Sequence, residues 1–240
     1  ADIMTMSAVD FLDRWFENDA VKALFAFDGI VGTLASPYQA GTAYVLLHHC
    51  FGEIMKNPGA WGHAIGGMGA ITQAMARSAQ AAGADIEVDA PVAEVLVSNG
   101  KASGVRLEDG REIQARVVAA NVNPKLLFGR LLNQRQVPQD FYKRMMNWRC
   151  ASGTFRMNVA LRELPDFSCL PGTTLAPHHT AGIILAPDVG YMENAYIEAR
   201  QSGWSKNPVV EMLIPSTIDP TLAPEGCHVA SLFCQHFDFD

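Results

Sequence analysis

Histidine is the residue type in this chain that most invites a metal-binding or acid–base interpretation. Adjacent histidines on a helix point about 100° apart, so a neighbouring pair cannot chelate one ion from one face. The sequence also lacks the H-x-x-x-H spacing that would put two rings on one helix face. We therefore predict no metal site, and histidines that belong to the core or the surface. The seven histidines are His48, His49, His63, His178, His179, His228 and His236.

The glycine-rich segment "GGMGAI" (66–71) invites a second chemistry, the binding of a phosphate. In a dinucleotide fold, G-x-G-x-x-G lies in the turn between a strand and a helix, where backbone N–H groups point at the pyrophosphate. Here Gly67 and Gly69 fill the first two places, but Thr72 stands where the third glycine should be, and no apolar strand precedes them. The pattern alone therefore favours a helix start packed close to other backbone over a phosphate loop.

Nucleophilic catalysis finds no support in the sequence. No G-x-S-x-G motif occurs, and no cysteine has an orienting histidine nearby. The five cysteines are widely scattered and form no C-x-x-C pair, which favours reduced thiols in a cytoplasmic compartment over a disulfide framework or a zinc site.

The elements that must position these residues begin with helices. Ser7 is a predicted N-cap for a helix over 7–28, and an apolar segment from Gly41 predicts a second helix. A loop rich in glycine follows. The spacing of apolar residues from Met68 then predicts a third helix, which Gly83 ends.

Strands dominate the rest of the chain. The segment 84–88 is predicted as a short strand, and the dipeptides Asn99-Gly100 and Asp109-Gly110 separate alternating segments into a three-stranded antiparallel meander. After Pro124 come two helical segments, four strand candidates and one further helix among the strands. The predicted fold class is α+β, with a mixed β-sheet and helices in addition to the helix and meander.

Composition and charge exclude several classes of protein. The formal net charge is −7 and cations are never clustered, so a surface that follows nucleic-acid phosphates is not expected. With 49% hydrophobic residues the 240-residue chain can bury a core, yet no apolar run reaches the roughly 18 residues that span a bilayer. The first residues include Asp2 and no basic leader, so we predict neither a transmembrane helix nor a signal peptide.

The order of the segments, rather than any single motif, resembles a known family. The run "WGHAIGGMGAI" (61–71), a helix, and then "GADIEVDAPVAEVLVSNGKASGVRLEDGREIQARVVAANVNP" (83–124) are similar to the central part of FAD-dependent oxidoreductases of the phytoene desaturase and amine oxidase superfamily. In particular they resemble phytoene-dehydrogenase-related proteins. The segments 7–29 and 211–235 resemble the same subgroup, so the likeness covers nearly the whole chain.

The resemblance implies a central fragment of a flavoprotein. The N-terminal dinucleotide motif and the C-terminal FAD segment of the family are not found in this sequence, so the fragment alone is expected to carry little or no FAD and to be inactive. The implied domains are substrate-domain helices over 1–60, part of an FAD-binding domain with helix and meander over 61–132, and a substrate-domain mixed sheet with helices over 133–240.

The resemblance also implies site residues. Val92 matches the position whose main-chain N–H and C=O contact adenine, which is compatible with a buried strand residue. Asn121 matches a strand end that approaches the cofactor, although capping the turn before Pro124 explains it equally well. Gly66, Gly67 and Met68 match the loop at the entrance to a helix, near the junction of flavin and substrate. The alternative for these three residues is simple packing at the start of the helix.

The expected substrate cavity would include Tyr44, Trp61 and His63. No catalytic side chain is assigned, since in such enzymes the flavin takes the electrons and the protein positions the substrate. The implied activity is dehydrogenation or desaturation of an apolar small molecule, with a separate electron acceptor.

Two alternatives remain open for the activity: a non-catalytic binding or dimerisation module, and a flavin-dependent isomerase of the same fold. Contact with a membrane surface and formation of a homodimer are both compatible with the apolar composition.

Overall fold

The computed structural model describes residues 2–150 and 152–238. Its helices are short and lie mainly at the start of the chain and between strands. The α-helices are α1 (Asp2–Thr5), α2 (Ala8–Leu12), α3 (Asp19–Ile30), α4 (Thr42–His49), α5 (Met68–Ala81), α6 (Pro124–Leu126), α7 (Gln139–Met146) and α8 (Val189–Ser202).

The strands form three separate antiparallel sheets. They are β1 (Glu53–Ile54), β2 (Asn57–Pro58), β3 (Val92–Ser98), β4 (Lys101–Leu107), β5 (Glu112–Gln114), β6 (Thr154–Leu161), β7 (Ile183–Leu185), β8 (Trp204–Leu213) and β9 (His228–Phe237). Helices and antiparallel sheets together confirm the α+β class.

The chain divides into two compact units, and the boundary falls within α5. The sheet unit comprises residues 1–75 and 151–240, and the meander unit comprises residues 76–150. These limits reflect compactness alone, so the functional domain limits inferred from the sequence stay a prediction.

Helices and a strand share the core of the sheet unit. Ser7 caps α2 as predicted, because its side chain accepts a hydrogen bond from the backbone N–H of Asp10. The single helix predicted over 7–28 is wrong, since Asn18 caps a new helix, α3, by accepting from the N–H of Val21. Ile30 of α3, Met192 of α8 and Val209 of β8 are fully buried in this core.

The four-stranded sheet of this unit has the order β6-β9-β8-β7, and every pairing is antiparallel. The prediction of a mixed sheet is therefore wrong in this detail. Gly203 adopts φ +84°, ends α8 and leads directly into β8, which packs against the helix. Because β7 and β8 pair antiparallel, the segment that contains α8 is not the crossover connection that parallel pairing requires.

The meander unit contains β3, β4 and β5 in that order, which confirms the predicted three-stranded antiparallel meander. Asn99 and Gly100 form its first turn with φ values of 50° and 75°, as the Asn-Gly signal indicates. The strand predicted over 84–88 is wrong: the segment has no regular structure, and Val88 is 76% exposed. The composition of the segment suits a strand, but a strand also requires a neighbouring strand to pair with, and this segment has none among the described residues.

Among residues 2–150 and 152–238, no helix has the length and apolar character needed to cross a bilayer.

Candidate functional site

The glycine loop before α5 is held by an internal carboxylate. Gly66 and Gly67 adopt φ values of +83° and +76°, a left-handed conformation that suits glycine. The N–H of Gly66 donates a hydrogen bond of 2.6 Å to Oδ2 of Asp219, whose side chain is only 2% exposed. This contact joins two segments that are 153 positions apart in the sequence.

Asp219 uses both carboxylate oxygens. Oδ1 accepts hydrogen bonds from the N–H of Thr221 at 3.0 Å and from its hydroxyl at 2.7 Å. Nε2 of His63 lies 3.9 Å from Oδ2. The Thr221 hydroxyl, the amides of Gly66 and Thr221, and the nearby His63 hold the pKa of the Asp219 carboxyl below its usual range, against the opposing effect of burial. Asp219 is therefore a buried carboxylate held in its ionised form.

The backbone geometry of the loop differs from that of a phosphate cradle. The Gly66 amide, which such a cradle would aim at an anion, already binds Asp219. A Cβ added at Gly67 would lie 3.4 Å from the Leu222 side chain, whereas one added at Gly69 would meet no described atom within 4 Å. At the start of this helix, the backbone with free space beside it is therefore that of Gly69.

Tyr44 and Trp61 belong to one aromatic cluster that includes His48 and His49 of α4. The Trp61 ring stacks on His49, with centroids 6.2 Å apart and an interplanar angle of 11°, and its Nε1 donates to the His49 carbonyl at 3.4 Å. Tyr44 lies next to His48, with ring centroids 6.4 Å apart. Trp61 remains 77% exposed and Tyr44 40% exposed, so both offer ring surface to a ligand. Their role as cavity walls stays a prediction, as does that of His63.

Two carboxyl groups near His49 were missed by sequence reasoning. Burial raises the pKa of Asp28 in α3 and of Glu211 in β8. The proximity of Asp28 also raises the pKa of Glu211, while Arg156 and His49 oppose that shift. Both carboxyls hold a proton more tightly than an exposed acid does. No spacing in the sequence indicates these two carboxyl groups, because the strand and the helix that carry them come together only in the folded protein.

Val92 and Asn121, the other predicted cofactor contacts, lie in the meander unit. Val92 is the first residue of β3, an outer strand of the meander, and pairs with Leu107. Asn121 is exposed, and the capping role before Pro124 belongs instead to Asn123, whose side chain accepts from the N–H of Lys125 at 2.8 Å. The structure thus assigns the proposed cap to a neighbour of Asn121 and leaves its cofactor contact a prediction.

The main-chain groups of Val92 have a defined direction. The Pro91 carbonyl accepts from the Glu108 N–H at 2.9 Å, so the next pair along the ladder, Val92 with Leu107, is a non-hydrogen-bonded pair. Consistently, the Leu107 N–H points the other way and donates to the Arg111 carbonyl at 2.9 Å. The N–H and C=O of Val92 therefore point away from β4, towards the outer edge of the meander.

Comparison with known proteins identifies the family. No protein-family model matches the chain. Over 240 residues and 98% of its length, the chain is 40% identical to the pyridine nucleotide-disulfide oxidoreductase domain-containing protein 2 of Rattus norvegicus, of which it covers 41%. It is 27% identical over 222 residues to the lycopene-forming phytoene desaturase of Pseudescherichia vulneris, with 92% of the chain and 41% of the desaturase covered. The chain belongs to the phytoene desaturase-like superfamily of oxidoreductases.

The phytoene desaturase-like relatives also include an isomerase. The chain is 28% identical over 181 residues to the prolycopene isomerase of Daucus carota, with 74% of the chain and 26% of the isomerase covered. It spans less than half the length of each of these three relatives. A crystal structure of an oxidoreductase from Methanosarcina mazei shares the fold, with a TM-score of 0.62, 18% identity and coverage of 96% of this chain and 47% of that one.

Asp219 is the site residue that had a recognisable signal in the sequence. The segment "DPT" (219–221) places an acidic N-cap before a proline, and Asp219 does cap a short 3-10 helix, Pro220–Leu222. That signal predicts the local turn. It gives no indication that the same carboxylate reaches the Gly66 loop.

Proposed function

We propose that this chain is the central part of an FAD-dependent oxidoreductase that dehydrogenates or desaturates an apolar small molecule. The observation that carries the proposal is the outward direction of the Val92 N–H and C=O at an outer strand. An adenine ring needs one donor and one acceptor from the backbone, and Val92 offers both without help from its side chain. A flavin binding in this way would accept the electrons removed from the substrate and pass them to a separate acceptor.

The glycine loop before α5 and the aromatic residues near it supply the groups that would face flavin and substrate. Gly66, Gly67 and Met68 form the cofactor-facing loop of the proposal, and the open backbone at Gly69 fits close approach of a flat ring. Trp61, Tyr44 and Met68 supply exposed apolar surface for the substrate. In this mechanism the side chains position the substrate and keep water away from it.

The first experiment is spectroscopic. In the proposal this chain is the central part of a longer protein, so that full-length protein is purified and its absorbance is recorded in the flavin band. We expect a yellow holoprotein, and little flavin bound to residues 1–240 alone. A full-length protein that stays colourless after supplementation with FAD would refute the proposal.

A pair of substitutions at Val92 tests the main-chain contact. In the full-length protein, Val92→Pro removes the outward N–H and Val92→Ala keeps it; an outer strand tolerates proline because that N–H is outside the ladder. Loss of one hydrogen bond of about 1 kcal/mol should weaken FAD binding several-fold in the proline variant alone. Equal affinity in the two variants would contradict the contact.

A flavin-dependent isomerase is the second candidate, and the likeness to the carrot prolycopene isomerase favours it specifically. The two activities differ in whether turnover consumes an electron acceptor. Anaerobic mixing of the holoprotein with phytoene or prolycopene, with and without a quinone, separates net oxidation from isomerisation. The binding-module alternative predicts neither flavin nor turnover, and a dimer that persists at low concentration.

A further inference from the structure

Asp219 contacts the loop that is proposed to face the cofactor, yet the proposed function gives Asp219 no role. It is a buried carboxylate that fixes a glycine of the cofactor-facing loop, and it is kept ionised by three hydrogen-bond donors. The loop and the segment 219–222 contact each other again where Leu222 lies against Gly67. Both the position of the loop and the charge beside it therefore depend on one side chain.

We propose that Asp219 is a positioning residue of the flavin site, which anchors the Gly66–Gly67 loop and places a fixed negative charge beside the cofactor. The proposal rests on the proposed function, in which this loop faces the flavin. Uptake of two electrons and one proton leaves a net negative charge on the flavin ring. A fixed negative charge nearby disfavours that reduced form and lowers the reduction potential.

Replacing Asp219 by asparagine removes the charge and one of the two acceptors. Both oxygens of Asp219 accept hydrogen bonds from donors, so the amide NH₂ of an asparagine would face a donor on one side. Either the Gly66 anchor or the Thr221 contact is then lost. Loss of a hydrogen bond to a charged group should weaken FAD binding about tenfold.

The test uses full-length holoprotein and needs no substrate. FAD affinity is measured by fluorescence titration of the apoprotein, and the midpoint potential of bound flavin by stepwise reduction with dithionite against a reference dye. Asp219→Asn should bind FAD more weakly and show a more positive potential than the unaltered protein. Thr221→Val is the matched control, since it removes a hydroxyl donor to Asp219 and leaves both the charge and the Gly66 bond in place.

A second pair of variants avoids the buried carboxylate, in case Asp219→Asn does not fold. His63 is 31% exposed and lies 3.9 Å from Asp219. His63→Lys places a permanent cation there, whereas His63→Gln places none. The lysine variant should have the more positive potential of the two, because the cation offsets the charge of Asp219.

The outcomes separate the two proposals. A full-length protein without flavin overturns the proposed function and this inference with it. A protein that binds flavin, but whose potential is the same in Asp219→Asn and in the His63 pair, keeps the proposed function and overturns the role of Asp219. A potential that moves equally in Asp219→Asn and Thr221→Val would show general loosening of the loop and also overturn the charge-based role.

Discussion

His236 offers a direct test of how burial sets the pH dependence of folding in the sheet unit. Its side chain is fully buried, at 0% exposure, and neither ring nitrogen has a hydrogen-bond partner among the described residues. The ring meets Tyr196 edge to face, with centroids 5.7 Å apart and an interplanar angle of 82°. Burial lowers the pKa of His236 to about 4, because it removes the hydration that the charged form would have in water.

The sign and size of this pH effect on stability follow from the difference between the His236 pKa in the folded and in the unfolded state. In the unfolded chain the pKa of this histidine returns to about 6.5, so between these two values the unfolded state binds more protons and stability falls as the pH falls. Relative to neutral pH, the loss amounts to about 2 kcal/mol at pH 5 and about 3 kcal/mol at pH 4. Above pH 7 the histidine is neutral in both states and contributes no pH dependence.

The assay compares the chain with His236→Phe by urea unfolding, followed by tryptophan fluorescence, from pH 7.5 to 4. Phenylalanine does not titrate and leaves no unpaired ring nitrogen. The difference in unfolding free energy between the two proteins should therefore grow in favour of the variant by about 2 to 3 kcal/mol as the pH falls. His236→Gln is the control for polarity: it should match the pH profile of the phenylalanine variant and be less stable at every pH, since it buries an unpaired amide. A difference that stays flat with pH would refute the assignment of a burial-depressed pKa to His236.

Three further predictions concern local geometry, all measured by urea unfolding. Gly104 adopts φ +157°, and an added Cβ would lie 2.2 Å from the Ile113 carbonyl oxygen, so Gly104→Ala should destabilise the meander unit by about 2 kcal/mol or more. Gly69→Ala, where an added Cβ meets no described atom, should leave stability unchanged or raise it by up to about 1 kcal/mol, and an equal loss at both glycines would contradict the steric argument. Asn18→Ala removes the side-chain cap of α3 and should cost about 1 kcal/mol, whereas Asn18→Ser should recover most of the loss.

Sequence patterns predicted the parts of the fold that depend on neighbouring residues. The meander followed from two turn dipeptides and the alternation between them, and the start of α2 followed from Ser7, because a cap and a tight turn are completed within a few residues. Helix α5 begins at Met68 and ends within two residues of Gly83, as its spacing indicated. Each of these predictions needed no information from elsewhere in the chain.

The predictions that failed needed information about distant segments. The segment 84–88 has the composition of a strand but no partner, and the antiparallel arrangement of the larger sheet depends on which distant strands pair with β8 and β9. The same limit applies to the candidate site. A spacing of 153 residues between Gly66 and Asp219 leaves no periodic trace in the sequence, although each end is locally recognisable as a glycine turn or an acidic cap.

The glycine loop and the segment that anchors it invert the usual arrangement of a protein surface. The anchoring carboxylate, Asp219, is buried, while Trp61, Ile65 and Met68 are 77%, 78% and 76% exposed. A surface loop that faced only water would gain by exposing the charge and burying the apolar groups. Contiguous exposed apolar groups mark binding surfaces, and a buried charge that fixes the backbone beneath them keeps such a surface rigid before a ligand arrives. This inversion is the arrangement that the proposed function requires of a site for a flat cofactor and an apolar substrate.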